Sequence, residues 1–403
     1  MKHLWLTAFW LLTLVLAFFL GSVRWSETPS TSLGETEMRD AVTESLAERD
    51  PLQRTGQLVR LLEGLDRANL IGALDAYEAR LDTTGQHEVR LFLHAWGRID
   101  PAGALEHVAA WRSGKRDHAV SALAFEWARI HPQVAADALG RTDASIVDAA
   151  APSLVQGWAI SGQAGVEDWI ADRRHGSERT RLVATLVAER IRAGRHDDVI
   201  AWAESVPPGA HENLKREVFK RVSNQLGAED PERTAAWLAP HLGNPYARAS
   251  MRELLRKWLP ADPDAAWAWI AAKPASPERY DAIESGTLTW LRRDRQAAEQ
   301  WIRTTDRSPL HDASLAAIAD ELVKSNPPEA LDWASQIQDE SLRLQALTRV
   351  GKIWARKAPD SARTWLRTSS LDADTRRQLR AAIGIRPAGS RPQPARTGGA
   401  GQG

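Results

Sequence analysis

The sequence contains no cysteine, and this absence excludes several kinds of protein at once. The chain can form no disulfide, offer no thiolate to a metal ion and carry no lipid on a cysteine. It also lacks net charge, because 52 acidic residues balance 52 lysines and arginines. A formal charge of zero gives no support to binding a polyanion, so we expect no nucleic acid partner.

The sequence also lacks the motifs of known catalytic, cofactor and metal sites. We find no Gly-x-Gly-x-x-Gly, no P-loop, no Gly-x-Ser-x-Gly and no His-Glu-x-x-His. The 11 histidines are scattered, and adjacent acids such as Asp197 and Asp198 point in different directions on a helix. We therefore predict no catalytic residue, no cofactor, no metal ion and a protein that is not an enzyme.

One long apolar run stands near the N-terminus. No residue from Leu4 to Leu20 is charged, and Trp5 and Trp25 lie near its two ends. This length is close to the lower bound for crossing about 30 Å of hydrocarbon, and no Ala-x-Ala cleavage pattern follows it. We predict that residues 1–25 are an N-terminal membrane anchor or uncleaved signal, with a cleaved signal peptide as the alternative.

The same features indicate a location. Arginine greatly outnumbers lysine, which is associated with GC-rich bacterial coding. Lys2 and the N-terminal amine compete with Arg24 for the cytoplasmic side. We predict a single-pass protein of the bacterial inner membrane, with the N-terminus inside and the bulk of the chain periplasmic.

Two polar segments bound the rest of the chain. Residues 26–38 are rich in Ser, Thr and Glu, and residues 386–403 are rich in Gly, Pro and Arg. Such compositions cannot bury enough apolar surface to fold. We predict a flexible spacer over 26–38, a folded repeat domain over 39–385 and a disordered tail over 386–403.

A tryptophan pattern recurs about every 32 residues within the repeat domain, and its clearest copy runs from Trp258 to Trp269. We name the first residue of each copy the first position and the residue 11 places later the second position. The first position holds Trp96, Trp127, Trp158, Ile191, Leu226, Trp258, Trp290, Leu322 and Trp354, and the second holds Trp169, Trp202, Trp237, Trp269, Trp301, Trp333 and Trp365. A period of this length is typical of stacked supersecondary units.

The residues between the two positions predict a helix start. The side chain of Asp262 can accept an unpaired backbone N–H, and Pro263 loses no hydrogen bond at the first helical position. Ala266, Trp269 and Ile270 then share one face of a helix. We predict an all-α fold: a right-handed α-solenoid of about nine or ten helical hairpins, with degenerate capping units at both ends, after one N-terminal membrane helix.

The sequence Asp-Pro-x-x-Ala-x-x-Trp at 262–269 resembles the junction between tetratricopeptide repeats. Asp230-Pro231 with Trp237 and Asn326-Pro327 with Trp333 are similar. The period is about 32 rather than 34 residues, and the Leu-Gly and Tyr of the standard repeat are absent. The resemblance implies a divergent tetratricopeptide-like array over about residues 86–370, and no groove residue is carried over from the family.

The tryptophans suggest packing more than binding. Those at the second position share a face with small residues, so Trp269→Ala is expected to cost about 3–5 kcal/mol. Trp111 and Trp267 lie off the repeat positions. These two are better candidates than the others for an exposed or groove-facing role, with packing as the alternative, and they are the candidate binding residues.

An extended helical surface favours binding of a protein or peptide partner. The leading functional prediction is a membrane-anchored protein-interaction scaffold or assembly factor. One alternative is an accessory or catalytic protein of cell-envelope peptidoglycan metabolism. The other is a structural spacer that sets a distance from the membrane.

Overall fold

The structure is a computed structural model that describes residues 33–209 and 211–383. Every regular element in these two ranges is helical, and no strand occurs in them. The all-α prediction is therefore confirmed for this part of the chain. The predicted membrane helix, most of the predicted spacer and the predicted tail lie outside the described residues.

The described residues form 22 α-helices. The first eleven are α1 Glu35–Ala47, α2 Pro51–Glu63, α3 Leu70–Glu78, α4 Gln86–Ile99, α5 Pro101–Ala109, α6 Arg116–Ile130, α7 Pro132–Leu139, α8 Ala144–Ser161, α9 Val166–Ala171, α10 Ser177–Arg192 and α11 His196–Ser205. The others are α12 Glu212–Glu229, α13 Pro231–Leu238, α14 Ser250–Trp258, α15 Pro263–Ala271, α16 Pro277–Arg293, α17 Arg295–Thr304, α18 Asp312–Leu322, α19 Pro327–Ser335, α20 Glu340–Lys357, α21 Pro359–Thr368 and α22 Ala373–Ile383.

Nine helix pairs run from α4 to α21 in the described ranges. We name the first helix of each pair, which ends at or just after the first position, the A helix and the second the B helix. Helices α1 to α3 and α22 flank the pairs and lack the tryptophans. Helix α1 begins at Glu35, inside the segment predicted as a spacer. The sequence shows a helical pattern only from about residue 39, so the prediction placed the start of the folded domain a few residues too late.

The turn inside most pairs is a single residue. Asp100, Asp230 and Asp294 each end an A helix and begin a B helix. Each side chain accepts a hydrogen bond from a backbone N–H in the first turn of the B helix. Asp262 caps α15 in the same way. The predicted capping role of these aspartates is confirmed.

The chain divides into two compact units, unit 1 through Val166 and unit 2 from Glu167. In unit 1 the A helices pack in sequence order, α4 on α6 and α6 on α8. Helix α5 packs against both α4 and α6, and α7 packs against both α6 and α8. At its other end α1 packs against α2 and α3, and α2 packs on α4.

Unit 2 repeats this arrangement. Each A helix from α10 to α20 packs on the next A helix, except that the last, α20, packs on α22. Within each unit, a helix therefore packs mainly against helices that are close to it in the sequence. This sequential packing is expected of a repeat protein. The right-handed solenoid remains a prediction.

The first position forms the core of the helix pairs. All nine residues there are at most 7% exposed, whether tryptophan, isoleucine or leucine. Glycines near the first position allow neighbouring A helices to approach closely. A Cβ at Gly157 would lie 2.3 Å from the carbonyl oxygen of Phe125 on α6. The first position is therefore the main packing site of the repeat.

Candidate functional site

The structure buries Trp111, one of the two tryptophans predicted to be exposed or groove-facing. Its side chain is 8% exposed, and its indole Nε1 donates a 2.8 Å hydrogen bond to Glu78 Oε1. The same oxygen lies 2.7 Å from His107 Nε2. Trp111 thus joins the loop after α5 to the end of α3, which is a packing contact.

Trp267, the other candidate, is half-buried on α15. Its ring centroid lies 4.3 Å from that of His311 and 5.3 Å from that of Trp301. One part of its surface remains in contact with solvent, so its role in binding stays a prediction. Neither tryptophan lines the clefts described next.

A cleft of about 370 Å³ lies in unit 1, on the A helices α4, α6 and α8. We name it the basic cleft. Its polar lining consists of Gln86, His87, Arg90, Lys115, His118, Ser121, Ser153 and Gln156. Its apolar lining consists of Val89, Leu93, Ala119, Ala122 and Phe125. This volume lies within the range of ligand-binding clefts, and no carboxylate is among these described lining residues.

The rim of the basic cleft carries uncompensated positive charge. Arg90 is exposed and forms no ion pair with any residue in the described ranges. His87 and His118 are exposed beside it. Arginine presents a planar fork of donors that matches a carboxylate or phosphate. The rim therefore attracts anions.

Carboxylates near the cleft are already bound to other cations. Glu88 Oε1 accepts a 2.8 Å hydrogen bond from Arg54 Nε. Burial by itself would raise the pKa of Glu88, but its hydrogen bonds and the charge of Arg54 together lower it. Glu126 pairs with His94 at 3.1 Å. These contacts leave Arg90 without an ion-pair partner among the described residues, while Glu88 also senses the charge of His87.

Lys115 is held in place at the mouth of the cleft. Its ammonium donates hydrogen bonds to the carbonyl oxygens of Leu81 and Thr84. These two carbonyls belong to the turn after α3, so Lys115 ties that turn to the start of α6. A cation bonded only to neutral carbonyls keeps its full charge, and it adds to the positive potential of the cleft.

The third wall of the cleft is formed by α8, which contains Pro152 inside the helix. Proline has no N–H, so the helix loses one internal hydrogen bond there. One residue nearby, Ser121 on α6, donates a 2.8 Å hydrogen bond to the carbonyl of Ala149. Ser153, next to the proline, faces the cleft. The local sequence of α8 thus exposes polar groups on the cleft side.

A second cleft of about 690 Å³ lies in unit 2, on the A helices α16, α18 and α20. We name it the acidic cleft. It is lined by Tyr280, Glu284, Pro309, Asp312, Ala313, Ala316, Gln338, Asp339, Leu342 and Arg349. Asp312 is 2% exposed and accepts hydrogen bonds of 2.8 Å from the backbone N–H groups of Gln338 and Asp339. It therefore fixes the start of α20 against α18.

The two clefts lie at the same register of the repeat. Positions six and nine residues before the first position line both of them. In the basic cleft these are Arg90, Ser121, His87 and His118, and in the acidic cleft they are Glu284, Ala316 and Ala313. The sequence analysis did not identify these residues. Alignment of the copies on their first positions would have placed His87 and His118 at one position and Arg90 and Ser121 at another.

The described residues hold no group of three or more histidine, aspartate or glutamate side chains arranged to bind a metal ion. None of the helices in 33–209 and 211–383 combines the length and apolarity needed to span a bilayer. A scan against models of protein families finds no match for the chain, and a search of curated proteins finds no relative.

Proposed function

We propose that this chain is a protein-interaction scaffold that binds a segment of a partner protein in the basic cleft. The observation that carries the proposal is that three consecutive A helices, α4, α6 and α8, line one cleft. A surface built from successive repeats suits an extended ligand, because each repeat adds one set of contacts along it. The tetratricopeptide-like pattern in the sequence supports the same function.

The chemistry of the cleft defines the segment it would accept. Arg90 and the two histidines of the rim favour carboxylates, and Val89, Leu93 and Phe125 supply an apolar floor. The partner segment is therefore acidic and carries at least one apolar side chain. Its backbone would hydrogen-bond to the amide of Gln86 and the hydroxyl of Ser153, which lie on opposite walls.

The location proposed for the scaffold is the bacterial inner membrane, with residues 1–25 as the anchor and the repeats in the periplasm. The uncharged run from Leu4 to Leu20 supports this assignment. Protease added to spheroplasts should digest the repeats of the full-length chain, and protease added to intact cells should not. Protection of the repeats in spheroplasts would place them in the cytoplasm and contradict the orientation.

Site-specific photo-crosslinking in cells tests the scaffold. A benzophenone amino acid at position 122 or 153, on two walls of the basic cleft, should give a defined adduct with a partner protein. Val134 on α7 is 56% exposed and does not line the cleft, so the same amino acid there is the matched control.

Adducts from positions 122 and 153 without one from position 134 would support binding in the cleft. Equal adducts from all three positions would show that contact with the partner is not specific to it. If no position gives an adduct while the protein is folded and membrane-bound, the scaffold proposal fails. A spacer would then account better for the fold.

A further inference from the structure

Of the three carboxylates that line the acidic cleft, Asp312 and Asp339 accept hydrogen bonds from backbone N–H groups, whereas Glu284 has no hydrogen bond to another described residue. Glu284 on α16 forms no ion pair with any described residue. Its acidic neighbour Asp281 is bound to Arg252 at 3.0 Å, and Asp320 is bound to Arg349 at 2.6 Å. Each of these two cations is paired with an aspartate, and Arg349 acts on Glu284 only through its charge, without an ion pair.

The electrostatics at Glu284 indicate that a cation would be stabilised there. Partial burial raises the pKa of its carboxyl, and the charges of Asp320 and Asp281 raise it further. The pKa of Asp320 is also raised by burial, although Arg349 opposes this. The part of this shift that comes from the two aspartates reflects their negative charge, which Arg349 opposes, and an arriving guanidinium would be attracted to the same carboxylates.

Part of the wall of the acidic cleft is apolar. Tyr280 is 39% exposed, and Pro309, Ala313 and Leu342 line the cleft with it. Exposed apolar surface of this kind gains free energy when a ligand covers it. The occupant should therefore combine positive charge with rigid, apolar segments such as proline.

Residues 384–403 of this chain have that composition. The segment contains Arg386, Arg391 and Arg396 and no acidic residue. Prolines directly follow the first two arginines, and proline fixes its own φ so that less conformational entropy is lost on binding. Charge and composition thus match the cleft.

The segment also starts from a helix that packs on α20, one wall of the cleft. It follows Ile383 of α22, whose Cγ2 lies 3.0 Å from the position of a Cβ built on Gly351 of α20. Arg349, a cleft residue, is two residues from Gly351, and Leu342 is nine, which is about 14 Å along a helix. The eight residues from Ile383 to Arg391 can span up to about 28 Å.

Because residues 384–403 are covalently linked to the chain that forms the cleft, even weak binding would occupy it. A single exposed ion pair contributes little to affinity, so a free peptide of this composition would bind poorly. A short tether gives an effective concentration on the order of millimolar. A dissociation constant of about 1 mM for the free peptide would therefore already leave the cleft about half occupied by the linked segment.

We infer that residues 384–403 dock in the acidic cleft of their own chain, with arginine side chains facing Glu284. The docked segment covers Tyr280 and Leu342 and spans α16, α18 and α20. This contact is separate from the proposed function of the basic cleft in unit 1. The absence of native cysteine allows it to be measured with two engineered labels in the full-length protein.

Spin labels at Ser341→Cys, beside the cleft, and Thr397→Cys, in the segment, report the distance between them by pulsed electron resonance. Docking should give a narrow distance component. Replacing Arg386, Arg391 and Arg396 together by Gln should abolish this component, as should Glu284→Gln. Glu232→Gln on α13 is the matched control because Glu232 is an exposed acid outside the cleft, and it should preserve the component.

Three results would overturn the inference. The first is one broad distribution shared by the unmodified chain and the triple arginine variant. The second is a narrow component that survives the triple variant, because the arginines would then not be recognised. The third is a component that appears only when two singly labelled proteins are mixed, since the segment would then come from a second copy. Circular dichroism of each variant confirms that it is folded.

Discussion

Tryptophans at the second position form two groups, and the residue at the first position distinguishes them. Trp202, Trp237 and Trp333, which follow isoleucine or leucine, are 5%, 9% and 0% exposed. Trp269, Trp301 and Trp365, which follow tryptophan, are half-buried. In these last three pairs the two ring centroids lie 5.9, 5.8 and 6.4 Å apart. A close-packed interior has room for one indole there, so the second is displaced toward solvent.

Alanine substitution should separate the two groups. Trp333→Ala removes a fully buried indole, and the free energy of unfolding should fall by about 3–5 kcal/mol. Trp269 keeps part of its surface in solvent, so Trp269→Ala should cost only about 1–2 kcal/mol, less than the sequence alone predicts. Urea denaturation measures both values. Equal losses would contradict the grouping.

His311 is a buried histidine held in its neutral form. The residue is 2% exposed and stacks on Trp267, and its Nδ1 accepts a 3.1 Å hydrogen bond from the backbone N–H of Ser308. Burial lowers its pKa, a hydrogen bond with the backbone of Ser308 and the charge of Asp312 raise it, Arg307 lowers it, and the net shift is downward. Protonation would therefore place an extra charge among aromatic rings.

Unfolding should become easier as the pH falls from about 7 toward about 5. The unfolded chain binds a proton at the ordinary histidine pKa, whereas folded His311 binds it only at lower pH, so stability is lost within that window. Urea unfolding at several pH values should show a shallower slope for His311→Gln. His131→Gln, at an exposed position, is the control and should leave the slope unchanged.

At the scale of the elements, the turn between A and B helices depends on one residue. The backbone at Asp100 and at Ala358 has almost the same dihedral angles, φ −149° and ψ 79° against φ −144° and ψ 72°. Asp100 accepts a hydrogen bond from the backbone N–H of Gly103, while Ala358 has no side chain to cap α21. The backbone conformation of the turn therefore does not depend on the side-chain cap, and the cap adds stability to the helix that follows.

Ala358→Asp should therefore stabilise the protein by about 0.5–1 kcal/mol, because a carboxylate would cap α21 without moving the backbone. Ala358→Asn should do the same with slightly less effect, since its side chain lacks the charge that favours a helix N-terminus. A thermal melt compares both variants with the unmodified protein. A lower melting temperature for Ala358→Asp would show that the turn cannot accommodate a cap.

The residues that line the clefts escaped the sequence analysis because they belong to the polar face of the A helices. At about 100° per residue, positions six and nine before the first position lie about 120° and 180° away from it around the helix. Apolar periodicity identifies only the buried face. The Asp-Pro turns, the first position and the helix pairs could be predicted because each depends on local sequence.

At the scale of the whole molecule, a net charge of zero conceals two clefts of opposite charge. Unit 1 carries the basic cleft around Arg90, and unit 2 carries the acidic cleft around Glu284. The exclusion of nucleic acid from composition rests on the sum of the charges, whereas recognition depends on where they lie. The charge of a ligand that each unit prefers should therefore be predicted from the cleft of that unit and not from the net charge of the chain.

Arg90→Gln should reduce the photo-adduct from position 153, because the rim would lose the one arginine that faces an acidic partner. Arg98→Gln changes the net charge equally, on the same helix but outside the cleft, and should preserve the adduct. Raising the salt concentration should weaken the adduct of the unmodified protein in parallel. An adduct insensitive to both Arg90→Gln and salt would contradict recognition by charge.

Local sequence is enough to predict that the described residues are helical, where the helix pairs turn and which residue of each pair is buried. These properties depend on neighbours within one helical turn, or on an apolar face that repeats along the chain. The burial of Trp111 against Glu78 and the partial exposure of Trp269 depend on how distant helices pack, so they appear only in the folded molecule. It alone brought Arg90, His118 and Ser153 to one cleft, because residues of three helices meet only when those helices pack.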